Sequence, residues 1–319
     1  MRLLKCRHAI ESAPLTVKTT SLRGRVVACC SVLASLLTPT YGASCLPIPH
    51  DQSIDAWGDS LTTGTPGIGG LHGTWPYQLS VLLGGRTVRN FGVSGQVSES
   101  IAAREGALVA RVSVEGGELP VDGAVPVTVT NHLSIPGAGA GDVHGTLDGI
   151  PGKLAYTATY HHVFIRDTRG ASPSSVPADS PFIVDDYRCD VSVIWAGRND
   201  VSAGQTTQTV DNIARMTARI DAGRFIVLSI PNSADEKRGT PGYATVTALN
   251  RALAARFPHN FIDVRSALVA HANTDDADQR NRHADVVPVS LRVDNLHLNA
   301  DGYRIVAEQV AGFVNQRGW

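Results

Sequence analysis

Two hydrophobic periods divide the chain into regions of different predicted structure. After about residue 50, and again from about residue 190 onward, short apolar runs alternate with segments whose apolar residues recur every third or fourth position. The runs predict strands at Ser53–Trp57, Thr87–Phe91, Asp190–Trp195, Arg224–Ile230 and Phe261–Val264. The segments predict helices at Trp75–Leu83, Ser98–Arg104, Thr206–Ala222, Tyr243–Phe257 and Ala300–Gln316. This alternation predicts an α/β fold with a parallel sheet.

Between residues 106 and 187 the period changes to two. Runs such as Val125–Thr130 and Lys153–Tyr160 alternate apolar and polar residues, and glycine-rich turns separate them. This pattern predicts antiparallel strands. We therefore expect an α/β domain of residues 44–105 and 188–319, interrupted by a β-rich insert of residues 106–187. The aspartate-rich segment from His271 to His283 is predicted to be a polar loop.

The first 43 residues have the pattern of a secretory signal. A basic region is followed by an apolar run, Val26–Leu37, and then by small residues at Gly42 and Ala43. The run is shorter than the roughly 20 residues that a membrane span needs. We therefore expect a signal peptide at residues 1–43 and a secreted or periplasmic protein.

Removal of that segment changes the charge and the cysteine count. It leaves 22 basic and 28 acidic residues, a net charge of −6, which argues against nucleic acid as a partner. Two cysteines remain, Cys45 and Cys189, in a compartment that permits disulfides. We expect a Cys45–Cys189 disulfide. Lipid attachment at Cys45 is the alternative, although Gly42 stands where a lipoprotein signal usually has leucine.

Four short blocks of polar and glycine residues stand at the ends of predicted strands or before the last helix. They are Gly58-Asp59-Ser60-Leu61, Asn90-Phe91-Gly92-Val93-Ser94-Gly95, Gly197-Arg198-Asn199-Asp200 and Asp294-Asn295-Leu296-His297. Ligands of open parallel sheets bind at the carboxyl ends of the strands. The blocks therefore predict a site at that edge of the sheet.

The chemistry of one such site follows from the residue types. A serine hydroxyl such as that of Ser60 is a weak nucleophile and needs a base, which His297 can supply. Asp294, three residues before this histidine, can orient the imidazole and stabilise its cation. The three residues predict a nucleophile, a base and an orienting acid.

With these four blocks in this order, the chain outside the insert resembles the GDSL, or SGNH, hydrolase family. The resemblance implies a flavodoxin-like, three-layer fold around the parallel sheet. It also implies an oxyanion hole formed by the Ser60 and Gly95 amides and the Asn199 side chain. Neither a metal nor another cofactor is needed for this mechanism.

The resemblance implies an exported serine esterase that acts on an acyl ester. We expect the acyl group to be short-chain or O-acetyl and the ester to be carbohydrate-linked. A lipase or lysophospholipase, or an acyltransferase of the same family, is the alternative. A carbohydrate-binding module with a silent hydrolase core is the alternative from another class.

The insert offers one candidate substrate surface. Tyr156 and Tyr160 lie on the same side of a predicted strand, where they can stack on sugar rings or pack within the sheet. We expect an acetylated polysaccharide to be the partner if they bind substrate.

Overall fold

The computed structural model describes residues 52–64, 70–131, 133, 142–157 and 161–319. The strands of this part of the chain are β1 (Ile54–Gly58), β2 (Val88–Gly92), β3 (Ala110–Val114), β4 (Glu118–Leu119), β5 (Ala124–Val129), β6 (Val143–Leu147), β7 (Ile150–Thr157), β8 (His161–Arg166), β9 (Ser174–Ser175), β10 (Ser180–Val184), β11 (Val191–Trp195), β12 (Phe225–Leu228) and β13 (Phe261–Ile262). The α-helices are α1 (Ser60–Thr63), α2 (Trp75–Leu82), α3 (Ser98–Glu105), α4 (Arg198–Ala203), α5 (Thr206–Arg219), α6 (Pro241–Arg256), α7 (Val264–Ala270), α8 (Asp276–His283) and α9 (Ala300–Arg317). Short 3-10 helices lie at Leu71–Gly73, Glu115–Gly117, Asp221–Gly223 and Val289–Leu291.

The central sheet is parallel and has the strand order β13-β12-β11-β1-β2. Counted within this sheet alone, the order is 2-1-3-4-5 read from the other edge, which is the flavodoxin-like order. The direction of strand addition reverses between β1 and β11. Both strands are fully buried, as is usual for central strands of a parallel sheet that helices cover on both faces.

Helices cover the sheet in two groups. One group comprises α2, α7 and α9, and the other comprises α3, α5 and α6. Right-handed crossovers on either side of the reversal put the two groups on opposite faces. The expected α/β, three-layer arrangement is confirmed, with one continuous apolar core that includes Trp57, Trp75, Trp195 and Tyr303.

The strands between β2 and β11 form a separate antiparallel structure. Six of them close into a barrel in the order β10-β3-β5-β8-β7-β6, and β4 pairs with β9 beside it. The barrel is filled by its own apolar core, in which the rings of Phe164 and Phe182 meet edge to face. The barrel strands span residues 110–184, inside the predicted insert of residues 106–187, whose boundaries stay a prediction.

The structure corrects the prediction of a polar loop between His271 and His283, because α8 occupies most of that segment. Its first turn carries Asp276 and Asp278, and its last turn carries Arg280 and Arg282. Acidic groups at the N-terminus and basic groups at the C-terminus interact favourably with the helix dipole. The helix has hardly any apolar face, so the hydrophobic period did not reveal it.

None of the helices in the part of the chain that the structure describes is long and apolar enough to cross a membrane. The predicted signal peptide, residues 1–43, lies outside the described residues.

A buried carboxyl group marks the place where the chain leaves the α/β domain. Glu105 ends α3 and is almost fully buried, 3.5 Å from the guanidinium of Arg219. Burial raises the pKa of this carboxyl from 4.5 to about 8, although Arg219 and the N–H of Ala107 oppose the shift. The folded protein therefore holds a proton there that the unfolded chain releases at lower pH.

The protonation of Glu105 should affect how the free energy of unfolding depends on pH. Between about pH 4.5 and 8 the folded state binds more protons than the unfolded state at Glu105, so its contribution to stability is greatest below that range and is lost as pH rises. Glu105→Gln should remove this loss, which amounts to at most about 1.4 kcal/mol per pH unit. Urea unfolding at several pH values measures it. Glu99→Gln, an exposed glutamate of the same helix, is the control, and equal pH slopes for Glu105→Gln and the parent would contradict the assignment.

Candidate active site

The turn that carries Ser60 is built from glycine and a buried aspartate. A Cβ at Gly58 would lie 2.1 Å from Thr62 Oγ1 and 2.6 Å from the carbonyl oxygen of Trp195, so no larger residue fits. Asp59 caps α1, and its Oδ1 accepts the N–H of Leu61 at 2.9 Å. The strand therefore stops at once and presents Ser60 at its carboxyl end.

Ser60, His297 and Asp294 form a continuous hydrogen-bonded chain. His297 Nε2 lies 2.9 Å from Ser60 Oγ, and His297 Nδ1 lies 2.7 Å from Asp294 Oδ2. When Nδ1 donates its hydrogen to the carboxylate, Nε2 is free to accept the hydroxyl proton. The three predicted catalytic side chains are thus brought together, with the geometry of a nucleophile, its base and an orienting acid.

The carboxylate of Asp294 is held in its charged form. Partial burial acts against this, but Oδ1 accepts the N–H groups of Leu296 and His297, each at 2.7 Å. Together with the imidazole, these donors keep the pKa of Asp294 below its ordinary value. The acid can therefore stabilise an imidazolium cation throughout the neutral range.

A tight loop before α9 fixes this pair. Arg292 and Leu298 form a β-bridge across it, and Arg292 also donates to the carbonyl oxygens of Val287 and Asp294, at 2.9 and 2.7 Å. Beyond the loop, Asn299 caps α9. Asp294 and His297 therefore depend on a guanidinium that no sequence block contained.

The predicted oxyanion donors Gly95 and Asn199 lie on two neighbouring elements, the loop before α3 and the first turn of α4. Gly95 is exposed and has a φ of +80°, which disfavours any residue with a side chain. Asn199 Nδ2 donates to the carbonyl oxygen of Gln96 at 2.9 Å, so the Asn199 side chain lies against the Gly95 loop. Among the described residues, no acceptor takes the N–H of Ser60 or of Gly95. Both main-chain donors remain available for an oxyanion.

The neighbours of Asn199 tie these loops together. Arg198 forms a bidentate ion pair with Glu236, at 2.7 and 2.9 Å, and Asp200 accepts the N–H of Ser98 at 2.8 Å. Near Glu236, the N–H of Ala234 donates to the carbonyl oxygen of Asn295, between Asp294 and His297, at 2.7 Å. The Asn199 loop is therefore bonded to the Gly95 loop on one side and indirectly to the histidine loop on the other.

Asp59 is a second buried carboxyl group beside the nucleophile. Burial raises its pKa to about 7, while the N–H of Leu61 partly offsets the shift. Its Oδ2 lies 3.4 Å from Asn199 Nδ2. This contact with the predicted oxyanion donor was not indicated by the sequence.

The remaining predicted site residues have mixed outcomes. Tyr156 is half-buried on β7, with its ring centroid 5.2 Å from that of His162 on β8, whereas Tyr160 lies outside the described residues. Cys189 is disulfide-bonded, and its predicted partner Cys45 also lies outside the described residues. Within the described residues no three His, Cys, Asp or Glu side chains cluster as a metal site.

Known proteins resemble the chain in sequence as well as in structure. No protein-family model matches the chain. The chain is similar to the tail spike protein of Salmonella phage epsilon15, with 27% identity over 277 residues that cover 76% of this chain. They cover 25% of the tail spike protein, so the chain spans about a quarter of that relative's length.

Solved structures also resemble the chain. They include a lipase/acylhydrolase from Enterococcus faecalis, with 14% identity, a TM-score of 0.46 and coverage of 83% of this chain and 96% of that one. A member of the lipolytic G-D-S-L family from Veillonella parvula has 13% identity, a TM-score of 0.45 and coverage of 82% and 96%. A variant of Axe2, an acetyl-xylooligosaccharide esterase from Geobacillus, has 13% identity, a TM-score of 0.44 and coverage of 82% and 94%.

The sheet has the flavodoxin-like strand order, and Ser60, His297 and Asp294 have the hydrogen-bond geometry of a serine hydrolase triad. The four blocks lie in order around that site, and the solved structures that resemble the chain include proteins described as acylhydrolases and lipolytic G-D-S-L proteins.

Removal of the charge on Asp294 tests the geometry. Asp294→Asn should lower kcat by about 10²- to 10⁴-fold, because an amide cannot stabilise the imidazolium and favours the wrong tautomer. Asp235→Asn is the matched control, since Asp235 contacts Asn295 but not the imidazole. Steady-state kinetics on a small ester measure both variants. If Asp294→Asn kept its kcat, Asp294 would not be the orienting acid.

Proposed function

We propose that this protein is a serine esterase that removes short acyl groups, acetyl above all, from hydroxyl groups of a carbohydrate. The observation that carries the proposal is the hydrogen-bonded chain from Asp294 through His297 to Ser60, beside the Gly95 and Asn199 donors.

The geometry supports an acyl-serine mechanism. Ser60 Oγ attacks the ester carbon while His297 Nε2 takes the hydroxyl proton, and Asp294 stabilises the cation that forms. The negative oxygen of the tetrahedral intermediate accepts from the N–H groups of Ser60 and Gly95 and from Asn199. His297 then gives its proton to the leaving alcohol. Water repeats the sequence on the acyl-serine and releases the acid.

Two features support a short acyl group on a large alcohol. The side chains of Asp294 and His297 are 45% and 23% exposed, so the ester reaches the nucleophile at an open surface. The segments around the four blocks are rich in glycine, threonine and aspartate, and bulky apolar residues that could hold a long acyl chain are sparse there. A lipase or lysophospholipase, and an acyltransferase, are the alternatives within the family.

A carbohydrate-binding protein with a silent core is the alternative from another class. The intact hydrogen-bonded chain argues against it, because a silent core has no chemical need for His297 to lie 2.9 Å from Ser60.

We further propose that the protein acts outside the cytoplasm. The basic region and apolar run of residues 1–43 support export. The similarity to a phage tail spike protein supports an alternative location, in which this protein is part of a phage particle. N-terminal sequencing of the protein from its host distinguishes a cleaved signal from an intact segment.

Ser60→Ala should lower turnover of p-nitrophenyl acetate by about 10⁴-fold or more, because the acyl acceptor is lost. Ser80→Ala removes a hydroxyl on α2 that donates to the carbonyl oxygen of Arg86, and it should keep the parent rate. Thermal unfolding of both variants checks that the fold is intact. Full activity in folded Ser60→Ala would exclude the proposal, and a parent protein faster on long-chain esters than on acetyl esters would favour a lipase.

The barrel surface tests the carbohydrate part of the proposal. Tyr156→Ala should raise KM for an acetylated polysaccharide about 2- to 13-fold, which corresponds to the roughly 0.5–1.5 kcal/mol that an aromatic contact contributes. KM for p-nitrophenyl acetate should not change. Ile183→Ala, an exposed residue on β10 of the same barrel, is the control. Equal KM values for the polymer in the two variants would exclude Tyr156 as a sugar contact.

A further inference from the structure

Asp200 is a buried carboxylate that lies outside the triad. It follows Asn199 directly, at the start of α4, and only 2% of it is exposed. A buried carboxylate is costly unless donors satisfy it, so its partners indicate what it holds in place.

Three donors converge on Asp200. The N–H of Ser98 donates to Oδ2 at 2.8 Å, and Ser98 Oγ donates to Oδ1 at 2.5 Å. Thr209 Oγ1, on α5, donates to Oδ1 at 2.9 Å. Ser98 Oγ in turn accepts from Asn212 Nδ2 at 3.0 Å. Two of the three bonds to Asp200 thus come from one residue 102 positions earlier in the chain.

Ser98 is the point where the Gly95 loop ends and α3 begins. The start of this loop is held by the N–H of Val93, which donates to the carbonyl oxygen of Gly58 at 3.0 Å. Its middle is held at Gln96, whose carbonyl oxygen accepts from Asn199 and whose Oε1 accepts from Arg104 at 2.7 Å. Asp200 holds its far end. The positive φ of Gly95 lies between these anchors.

We propose that Asp200 is a positioning residue for the oxyanion hole, which fixes the Gly95 N–H relative to the Asn199 side chain by anchoring Ser98. The inference rests on the proposed esterase function for its kinetic consequences, whereas the anchoring itself is independent of any activity. Asn199 and Asp200 are consecutive in the chain. The first turn of α4 therefore positions the Asn199 side chain directly and the Gly95 N–H through Ser98.

A loosened loop should act on kcat more than on KM. The oxyanion forms only after attack, so the substrate gains little from these donors in the ground state. A displacement of about 1 Å in such a group can cost about 10²-fold in rate.

The experiment compares Asp200→Asn and Asp200→Ala with Thr209→Val in the full chain. Asparagine keeps one oxygen for the N–H of Ser98, so we expect kcat on p-nitrophenyl acetate to fall about 10-fold, and about 100-fold with alanine, at nearly constant KM. Thr209→Val removes a bond to the same carboxylate from α5 and leaves both Ser98 bonds intact. Thr209→Val should keep the parent kcat, although its loss of thermal stability should be similar to that of Asp200→Asn.

Backbone hydrogen exchange gives a readout that needs neither activity nor the alanine variant. In Asp200→Asn the amides of residues 93–98 should exchange at least about 10-fold faster than in the parent protein. The exchange of residues 292–298 should not change in this variant. Thr209→Val should match the parent protein in both segments. Unchanged exchange at residues 93–98 in Asp200→Asn would overturn the proposal, whatever its kcat. So would a loss of kcat in Thr209→Val equal to that in Asp200→Asn. An inactive parent protein would refute the esterase function alone, and the exchange result would still decide the role of Asp200.

Discussion

The active site depends on the hydrogen bonds of three consecutive residues, Arg198, Asn199 and Asp200. Nucleophile, oxyanion donors and base come from loops that follow β1, β2 and β11 and from the loop before α9, and catalysis requires them to be aligned within about 0.5 Å. Arg198 binds the loop that contacts the histidine loop, Asp200 binds the end of the Gly95 loop, and Asn199, the proposed oxyanion donor, binds Gln96 in that same loop. One short turn therefore coordinates parts that the chain order separates.

Buried charge accompanies this alignment, and it occurs in two forms. Arg198 with Glu236, and Asp200 with its donors, form short hydrogen bonds, which offset part of the desolvation cost. Asp59 and Glu105 lack such complete partners, and their pKa values rise to about 7 and about 8. The first group of charges fixes geometry, whereas Asp59 and Glu105 favour the neutral carboxylic acid.

The outcome of the helix and strand predictions follows from what each pattern reports. Runs buried on both faces, such as Val191–Trp195, and amphipathic helices such as Thr206–Arg219 carry a strong hydrophobic period and were predicted within a few residues. The helix Asp276–His283 carries almost none, and its charges at the two ends were the only signal. Alternation within the insert predicted antiparallel strands but could not indicate that six of them close into a barrel.

The sequence by itself determined the type of chemistry and the order of its parts. A serine after a strand, an Asp-x-x-His pair before a helix and an asparagine after a glycine are local patterns, because each is set by a turn of a few residues. Only the tertiary structure decided what holds these patterns together. The bonds from Ser98 to Asp200 and from Arg198 to Glu236 join groups whose pairing depends on how loops meet at the sheet edge, and they span 102 and 38 positions of the chain. No local period records such a contact, since its physical cause is the folded packing itself.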